Sequence, residues 1–308
     1  MDAKSHRATL FIEQVRILAR TVFPGEQVLL RLLAPRIAAT ALPGTFLHIR
    51  CDPQLPLRRP LSLMSSDPIR GELTLLFKVV GNGTRLLAAR EVGDILDILG
   101  PVGVPFRPYP DRPRTILIGG GVGIPPMVFF ATRFAQNTTL SWDVPVRSIA
   151  PTSHFHRSQM LLLMGSEVPF PFSTHPSRAS ISGIPEYVTA AMVPLQELGI
   201  HTRLASQQGY SGCFQGLVTE LARLWLQAQS PDILQQVALY ACGPKPMLRA
   251  TADLAYEYDL PCQVCLEEFM ACGVGACAGC VVPVKVEEGT VMKRVCVDGP
   301  VFEAEEVF

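Results

Sequence analysis

From residue 9 to about residue 108 the chain is punctuated every few positions. Short runs such as Phe46-Leu47-His48-Ile49 and Leu73–Val80, rich in branched and apolar side chains, are separated by Gly and Pro. Runs this short at this spacing predict antiparallel strands closing into a small barrel. From about 111 to 265 the rhythm changes. Apolar runs at Thr115–Ile118, Met160–Met164, Ile200–Leu204 and Val237–Ala241 alternate with Pro185–Leu198, Leu217–Gln229 and Pro246–Tyr258, where apolar residues recur every three to four positions. Strands separated by helices predict a parallel sheet with covered faces. Residues 137–158 and 169–185 show no period and read as long surface loops. Residues 266–308 are dense in Cys and Gly and form a third zone. The expected architecture is therefore multi-domain, β plus α/β: an antiparallel barrel over 1–110, a parallel-sheet α/β domain over 111–265 and a small C-terminal domain over 266–308.

A chain of 308 residues is long enough for two compact cores and a small third unit. Charge adds little, because 27 Lys plus Arg balance 27 Asp plus Glu. No net field draws in nucleic acid or an anionic membrane surface, so neither is expected as a partner. The most apolar stretch, Thr115–Ala135, holds four glycines and two prolines, which suits a buried strand, loop and helix better than a membrane span. Met1–Arg7 is polar and lacks the apolar core of a secretory signal. A cytoplasmic, reducing setting is expected.

Cysteine placement changes the picture most. Five of the nine cysteines fall between Cys262 and Cys280, a clustering that in a reducing compartment points to a metal. Cys272, Cys277, Cys280 and Cys296 read as C-x4-C-x2-C-x15-C, the plant-type [2Fe-2S] spacing. A loop supplies three thiolates to one cluster only if its backbone curls, and Gly273, Gly275 and Gly279 permit that. Zinc is the alternative, and the x4 gap with interleaved glycines fits its usual paired C-x2-C units less well. Cys262 and Cys265 form a separate C-x2-C in Cys262–Leu266, which reads as an extended strand. Positions three apart on a strand face opposite sides, so these two are expected as buried packing residues rather than ligands. Cys51 and Cys213 carry no motif.

Four further segments have the chemistry of dinucleotide sites. Arg59-Pro60-Leu61-Ser62, placed at the end of a strand, offers a cation and a hydroxyl on a stiff backbone, as a flavin's pyrophosphate and ring require. Downstream, Leu76-Phe77-Lys78 leads to Gly81-Asn82-Gly83-Thr84 and a helical Arg85–Arg90. A Gly-x-Gly-Thr turn opening a helix presents free N–H groups to phosphate; a plain capped turn is the structural alternative. In the α/β zone, Gly119-Gly120-Gly121-Val122-Gly123-Ile124-Pro125 follows a strand and lets a ligand approach the backbone closely. Ile124 stands where a G-x-G-x-x-G motif has its third glycine, which disfavours an ordinary Rossmann dehydrogenase. Cys242-Gly243-Pro244 ends another strand, and strand ends of an open parallel sheet line its ligand crevice. Cys242 is either a nicotinamide contact or a small packing residue.

Taken in order, Arg59–Ser62, Gly83-Thr84, the Gly119–Pro126 loop, Cys242-Gly243-Pro244 and the cysteine cluster make the chain resemble the ferredoxin-reductase-like flavoproteins. Within them it is most similar to the electron transfer subunits of dihydroorotate dehydrogenase B complexes. The discriminating segments are Leu266-Glu267-Glu268-Phe269-Met270-Ala271-Cys272 through Cys280, and Cys296-Val297-Asp298-Gly299-Pro300. The resemblance implies FAD on the barrel, NAD as substrate of the α/β domain, and a [2Fe-2S] cluster near an FMN-containing catalytic subunit, two copies of each forming a heterotetramer in pyrimidine (UMP) biosynthesis. It implies flavin contacts at Arg59, Pro60, Leu61, Ser62, Leu76, Phe77, Lys78, Gly83 and Thr84. It also implies an oxidoreductase without an acid or base side chain, in which electrons from dihydroorotate reach NAD+ by way of the cluster and FAD. A related NAD(P)H-ferredoxin or sulfide-linked oxidoreductase subunit shares both dinucleotide halves, and a cluster-bearing regulator without turnover is the non-enzymatic alternative. Two departures stand out: Ser206-Gln207-Gln208-Gly209 replaces a common Thr-Asp-Asp-Gly, and the loops at 137–158 and 169–185 are longer than in compact members.

Overall fold

The computed structural model describes residues 10–135 and 159–308. The polar N-terminus and the expected loop at 137–158 lie outside them. The described residues form two compact units: 10–106 with 265–302, and 107–135 and 159–264 with 303–308.

In the first unit, six strands close into a barrel: β1 (Phe11–Phe23), β2 (Gln27–Leu33), β3 (Phe46–Arg50), β4 (Arg59–Asp67), β5 (Glu72–Lys78) and β6 (Ile95–Val102), in the order β1-β2-β5-β4-β3-β6. Every neighbouring pair is antiparallel. Period-two burial explains the closure. On β2, Leu30 and Leu32 are fully buried while Arg31 and Leu33 are exposed, and they pair in register with the buried Leu75 and Leu73 of β5. Each such leucine contributes about 1.5–3 kcal/mol of burial, and a one-residue slip would turn the whole set to solvent. Two short helices, α1 (Pro35–Ala38) and α2 (Asn82–Ala88), interrupt the strands.

The second unit carries β7 (Arg114–Gly120), α3 (Ile124–Ala135), β8 (Met160–Gly165), β9 (Thr174–Pro176), β10 (Ala190–Met192), α4 (Val193–Glu197), β11 (His201–Ser206), β12 (Phe214–Gln215), α5 (Val218–Gln227), α6 (Pro231–Leu234), β13 (Val237–Cys242) and α7 (Lys245–Glu257). Its central strands run in the order β12-β11-β8-β7-β13 and pair in parallel. All six residues of β13 are buried, as a parallel strand covered on both faces should be.

One expected helix is absent. Pro185–Leu198 holds only the short α4; Ala190, Ala191 and Met192 instead form β10, paired with β9 inside the stretch read as the 169–185 loop. The backbone has other partners there. The N–H groups of Thr189 and Ala190 donate to the Gly212 carbonyl at 2.9 and 2.8 Å, and that of Met192 donates to Thr202 Oγ1 at 2.8 Å. Three consecutive buried residues fit a strand covered on both faces, so long-range hydrogen bonds override the local helical period.

The tail then passes through β14 (Cys262–Cys265), where both cysteines are buried as expected, and a hairpin of β15 (Val281–Val286) and β16 (Gly289–Arg294).

Candidate cluster and dinucleotide sites

The four motif cysteines arrive as two pairs. Cys272 lies beside Cys277, whose backbone N–H donates to Cys272 Sγ at 3.4 Å, as does that of Val274. Burial opposes its thiolate, but these donors outweigh it and hold the thiol down to about 6. Cys280 and Cys296 form the second pair. Burial, followed by hydrogen bonding between the two thiols, pushes Cys296 up to about 12. The pairs differ in depth: Cys277 is exposed and Cys272 half-buried, whereas Cys280 and Cys296 are buried.

A two-iron cluster asks for two thiolates at each iron, and two thiol pairs fit that donor set.

The loop curls where its torsions are unusual. Gly273 (φ +67°) and Gly275 (φ +78°) occupy the left-handed region, and so does Ala278 (φ +52°). The sequence pointed to Gly279 as the third such position. Gly279 instead donates its N–H to Cys277 Sγ at 3.4 Å. Cys296 is held by a turn in which Arg294 Nε meets Asp298 Oδ2 at 3.0 Å, while Arg294 Nη1 donates to the Gly275 carbonyl at 3.1 Å. Arg294 thus fastens the three-cysteine loop to the fourth cysteine's turn. Sequence reasoning missed both residues, because neither carries cluster chemistry of its own.

In the same unit, Arg59-Pro60-Leu61-Ser62 opens β4 rather than ending a strand. Gly83 and Thr84 lie within the first turn of α2, which starts at Asn82, earlier than the expected Arg85. The Arg59 side chain crosses Gly83: a Cβ built there would fall 2.8 Å from Arg59 Nε, so a larger residue would push the flexible Arg59 side chain aside. Arg59 has no carboxylate partner among the described residues, its Nη1 donating to the Leu57 and Arg58 carbonyls. Arg58, by contrast, is committed to Asp97, with Nη2 2.6 Å from Oδ1 and Nη1 2.7 Å from the carbonyl. The Thr84 hydroxyl is occupied as a cap, accepting from the N–H groups of Val80 and Gly81 at 3.0 and 3.1 Å. An uncommitted cation over a glycine beside a helix's first turn fits a pyrophosphate. On β5, Leu76 and Phe77 are buried and Lys78 is half-buried.

The second unit brings two glycine loops together. β7 ends at Gly119-Gly120, a 3-10 turn spans Gly121–Gly123, and β13 ends at Cys242, in register with Gly119. A Cβ on Gly123 would fall 2.1 Å from the Cys242 carbonyl oxygen and 2.4 Å from the Gly243 nitrogen, while one on Gly120 would meet Met247 Sδ at 2.5 Å. Gly121 (φ +55°) faces open space. Cys242 is fully buried. After β8, the exposed Glu167 receives the Gln207 backbone N–H at 3.2 Å and Gln208 Nε2 at 3.1 Å. A carboxylate therefore sits against the segment where the usual acidic pair is missing.

An antiparallel barrel unit bearing this cation-and-glycine cradle, with a parallel α/β unit bearing glycine loops at its strand ends, defines the ferredoxin-reductase-like class. Solved structures agree on the fold: an NADH-dependent reduced ferredoxin-NADP oxidoreductase aligns at TM-score 0.69 and 23% identity over 96% of this chain and 90% of that one. The ferredoxin reductase of carbazole 1,9a-dioxygenase aligns at 0.58 and 21% over 82% and 67%.

Residues 267–308 match the iron-sulfur cluster binding domain of dihydroorotate dehydrogenase B. Dihydroorotate dehydrogenase B (NAD(+)) electron transfer subunits are similar over most of the chain. That of Bacillus caldolyticus is 35% identical over 86% of both chains, and that of Caldanaerobacter subterraneus subsp. tengcongensis 33% over 86% of both. That of Geobacillus thermodenitrificans is 34% identical over 96% of this chain and 98% of its own. The chain belongs to this family of electron transfer subunits.

Proposed function

We propose that this chain carries electrons from an FMN-bearing, dihydroorotate-oxidising partner subunit to NAD+ in pyrimidine biosynthesis. The observation that carries the reading is the arrival of four thiols in two pairs, one exposed and one buried. In this reading Cys272, Cys277, Cys280 and Cys296 hold a [2Fe-2S] cluster. Arg59–Ser62, Leu76–Lys78, Gly83 and Thr84 hold FAD. Gly119, Gly120, Gly121, Gly123, Cys242, Gly243 and Pro244 hold the nicotinamide dinucleotide. When bound, the cluster passes single electrons and the flavin joins one-electron to two-electron transfer.

The chain's own work is to hold and shield. Arg59 neutralises pyrophosphate charge, the N–H donors around Cys272 stabilise thiolate, and the glycine loops let the dinucleotide lie against the backbone. Glu167 follows β8, the second strand of the β7-α3-β8 unit, where a carboxylate accepts from a ribose 2′-hydroxyl and repels a 2′-phosphate, favouring NAD over NADP.

A catalytic partner is implied by the relatives' name, electron transfer subunit. The exposed Cys277, with Phe269 94% and Val274 41% exposed on the same segment, suits docking of that partner at the cluster loop. Two copies of each subunit are proposed, with native mass as the check. All nine cysteines are free thiols, which suits a reducing cytoplasm, and among the described residues no helix is long and apolar enough to cross a membrane.

Cys277→Ser tests the assignment. Anaerobically purified wild type should contain two irons per chain with flavin, and the variant should lose iron and cluster absorbance while keeping the flavin band. With the catalytic subunit, orotate formation should couple to NAD+ reduction. Wild-type protein holding zinc and no iron, or an unchanged variant spectrum, would refute the reading.

A further inference from the structure

His48 is a buried polar residue that the fold does not explain. It is fully buried on β3, where its register partner is Pro60 of the flavin motif. Its ring lies against the cluster loop: a Cβ on Gly273 would fall 2.6 Å from His48 Nδ1 and 3.2 Å from Cε1. Neither ring nitrogen makes a hydrogen bond of normal geometry among the described residues; the Arg58 backbone beside the ring offers only a weak contact. Burial, with the Arg58 charge second, holds the imidazole down to about 4, so the ring is neutral, with one N–H donor and one acceptor.

Buried polar groups without well-formed partners are rare in folded proteins, and a donor left unmade in the interior is destabilising. A leucine or phenylalanine would fill the same space without that cost. A histidine here is explained if its partner arrives with the loaded site. The loop touching Nδ1 adjoins Cys272, so what arrives is rich in sulfur acceptors.

We propose that His48 donates its ring N–H to the sulfur shell of the cluster held by the Cys272–Cys280 loop, and so raises the cluster's reduction potential. The proposal rests on the assignment of the four cysteines as cluster ligands. A hydrogen bond to sulfur stabilises the more negative, reduced form, which is how such donors tune a cluster. His48 acts as a positioning residue: it fixes the loop against β3 and adjusts a potential without exchanging electrons or protons.

Two variants separate this from simple packing. His48→Phe keeps ring size and removes the donor; His48→Asn places an amide N–H where Nδ1 stood. In the full chain, with iron, sulfide and flavin content measured in parallel, EPR-monitored titration should show the cluster potential of His48→Phe shifted to more negative values. His48→Asn should return it toward wild type. Should the phenylalanine variant not accumulate, pulsed EPR of reduced wild type labelled with ¹⁵N-histidine should show a nitrogen coupling that His48→Asn removes. A fully loaded His48→Phe with an unchanged cluster potential, a shift confined to the flavin, or the absence of the histidine coupling overturns the proposal while leaving the cluster assignment standing. Wild type without a [2Fe-2S] signal overturns both.

Discussion

Gly123→Ala isolates the dinucleotide site from the rest of the molecule. The added Cβ would sit 2.1 Å from the Cys242 carbonyl oxygen, 2.2 Å from its carbon and 2.4 Å from the Gly243 nitrogen. Ordinary contact lies near 3.4 Å, so one loop must retreat by more than about 1 Å, and neither yields easily. Cys242 is anchored in β13 in register with Gly119, and Gly123 is followed at once by α3. All three atoms are backbone, so no side-chain rotation relieves the overlap. Overpacking costs about 1–3 kcal/mol, and three backbone contacts this short place the variant near the upper figure. If the displacement appears in the loop that receives NADH, about 3 kcal/mol corresponds to a loss of roughly 150-fold in affinity. The assay is anaerobic stopped-flow reduction of bound flavin by NADH, with dithionite as the control for intact flavin and cluster. An apparent NADH affinity within twofold of wild type in a folded variant would refute the argument that these two loops form the dinucleotide cradle.

Two further outcomes are expected. Glu167→Arg replaces a carboxylate, fixed by Gln207 and Gln208, with a cation; exchanging repulsion for attraction at an exposed site is worth about 1–2 kcal/mol, so steady-state kinetics should show the NADPH-to-NADH ratio of kcat/KM rising roughly tenfold. Tyr109→Phe removes the phenol that donates to Glu303 Oε2, leaving the carboxylate only the Gln263 Nε2 bond to its Oε1, at 3.1 Å, among the described residues. Burial, then that carboxylate, holds the Tyr109 phenol far above its ordinary value, so the lost bond is neutral-to-charged and should cost about 1.5–3 kcal/mol, read as a lower urea midpoint with iron and flavin content unchanged.

The parts of the fold visible in the sequence are those decided locally. Short apolar runs such as Phe46–Ile49 and Leu73–Val80, broken by Gly and Pro, give barrel strands without knowledge of their partners, and the cysteine spacing points to a cluster because three of the four proposed ligands share one loop. What escaped depends on distant segments. The helical period of Pro185–Leu198 could not reveal that the Gly212 carbonyl would capture the N–H groups of Thr189 and Ala190. His48 stood unremarked inside the apolar run Phe46–Ile49, and its closeness to Gly273 of the tail is set by a segment more than 200 residues away. Gly279 read as the curling residue, yet Ala278 takes the positive φ. Composition marks which residues adopt such torsions cheaply, but not which positions of the loop take them. Arg294 and Asp298 escaped for a similar reason: a charged pair four residues apart is ordinary until one end also grips Gly275.

The tail's return to the barrel follows from its composition. A cysteine-and-glycine stretch of about 40 residues has too little apolar mass to fold without a metal or a neighbour, and most of β15 and β16 faces solvent. Up to Phe302 it belongs to the barrel unit. A Cβ on Gly103 would fall 2.3 Å from Pro300 Cδ, one on Gly44 would fall 2.9 Å from Val301, and Gly273 rests on His48. Those contacts place the cysteine loop and the Arg59–Ser62 motif in one folded unit, while the glycine loops at Gly119–Gly123 and Gly243 belong to the other. In the proposed relay, single electrons pass between two cofactors held by one unit, where the fold itself fixes the residues that hold them.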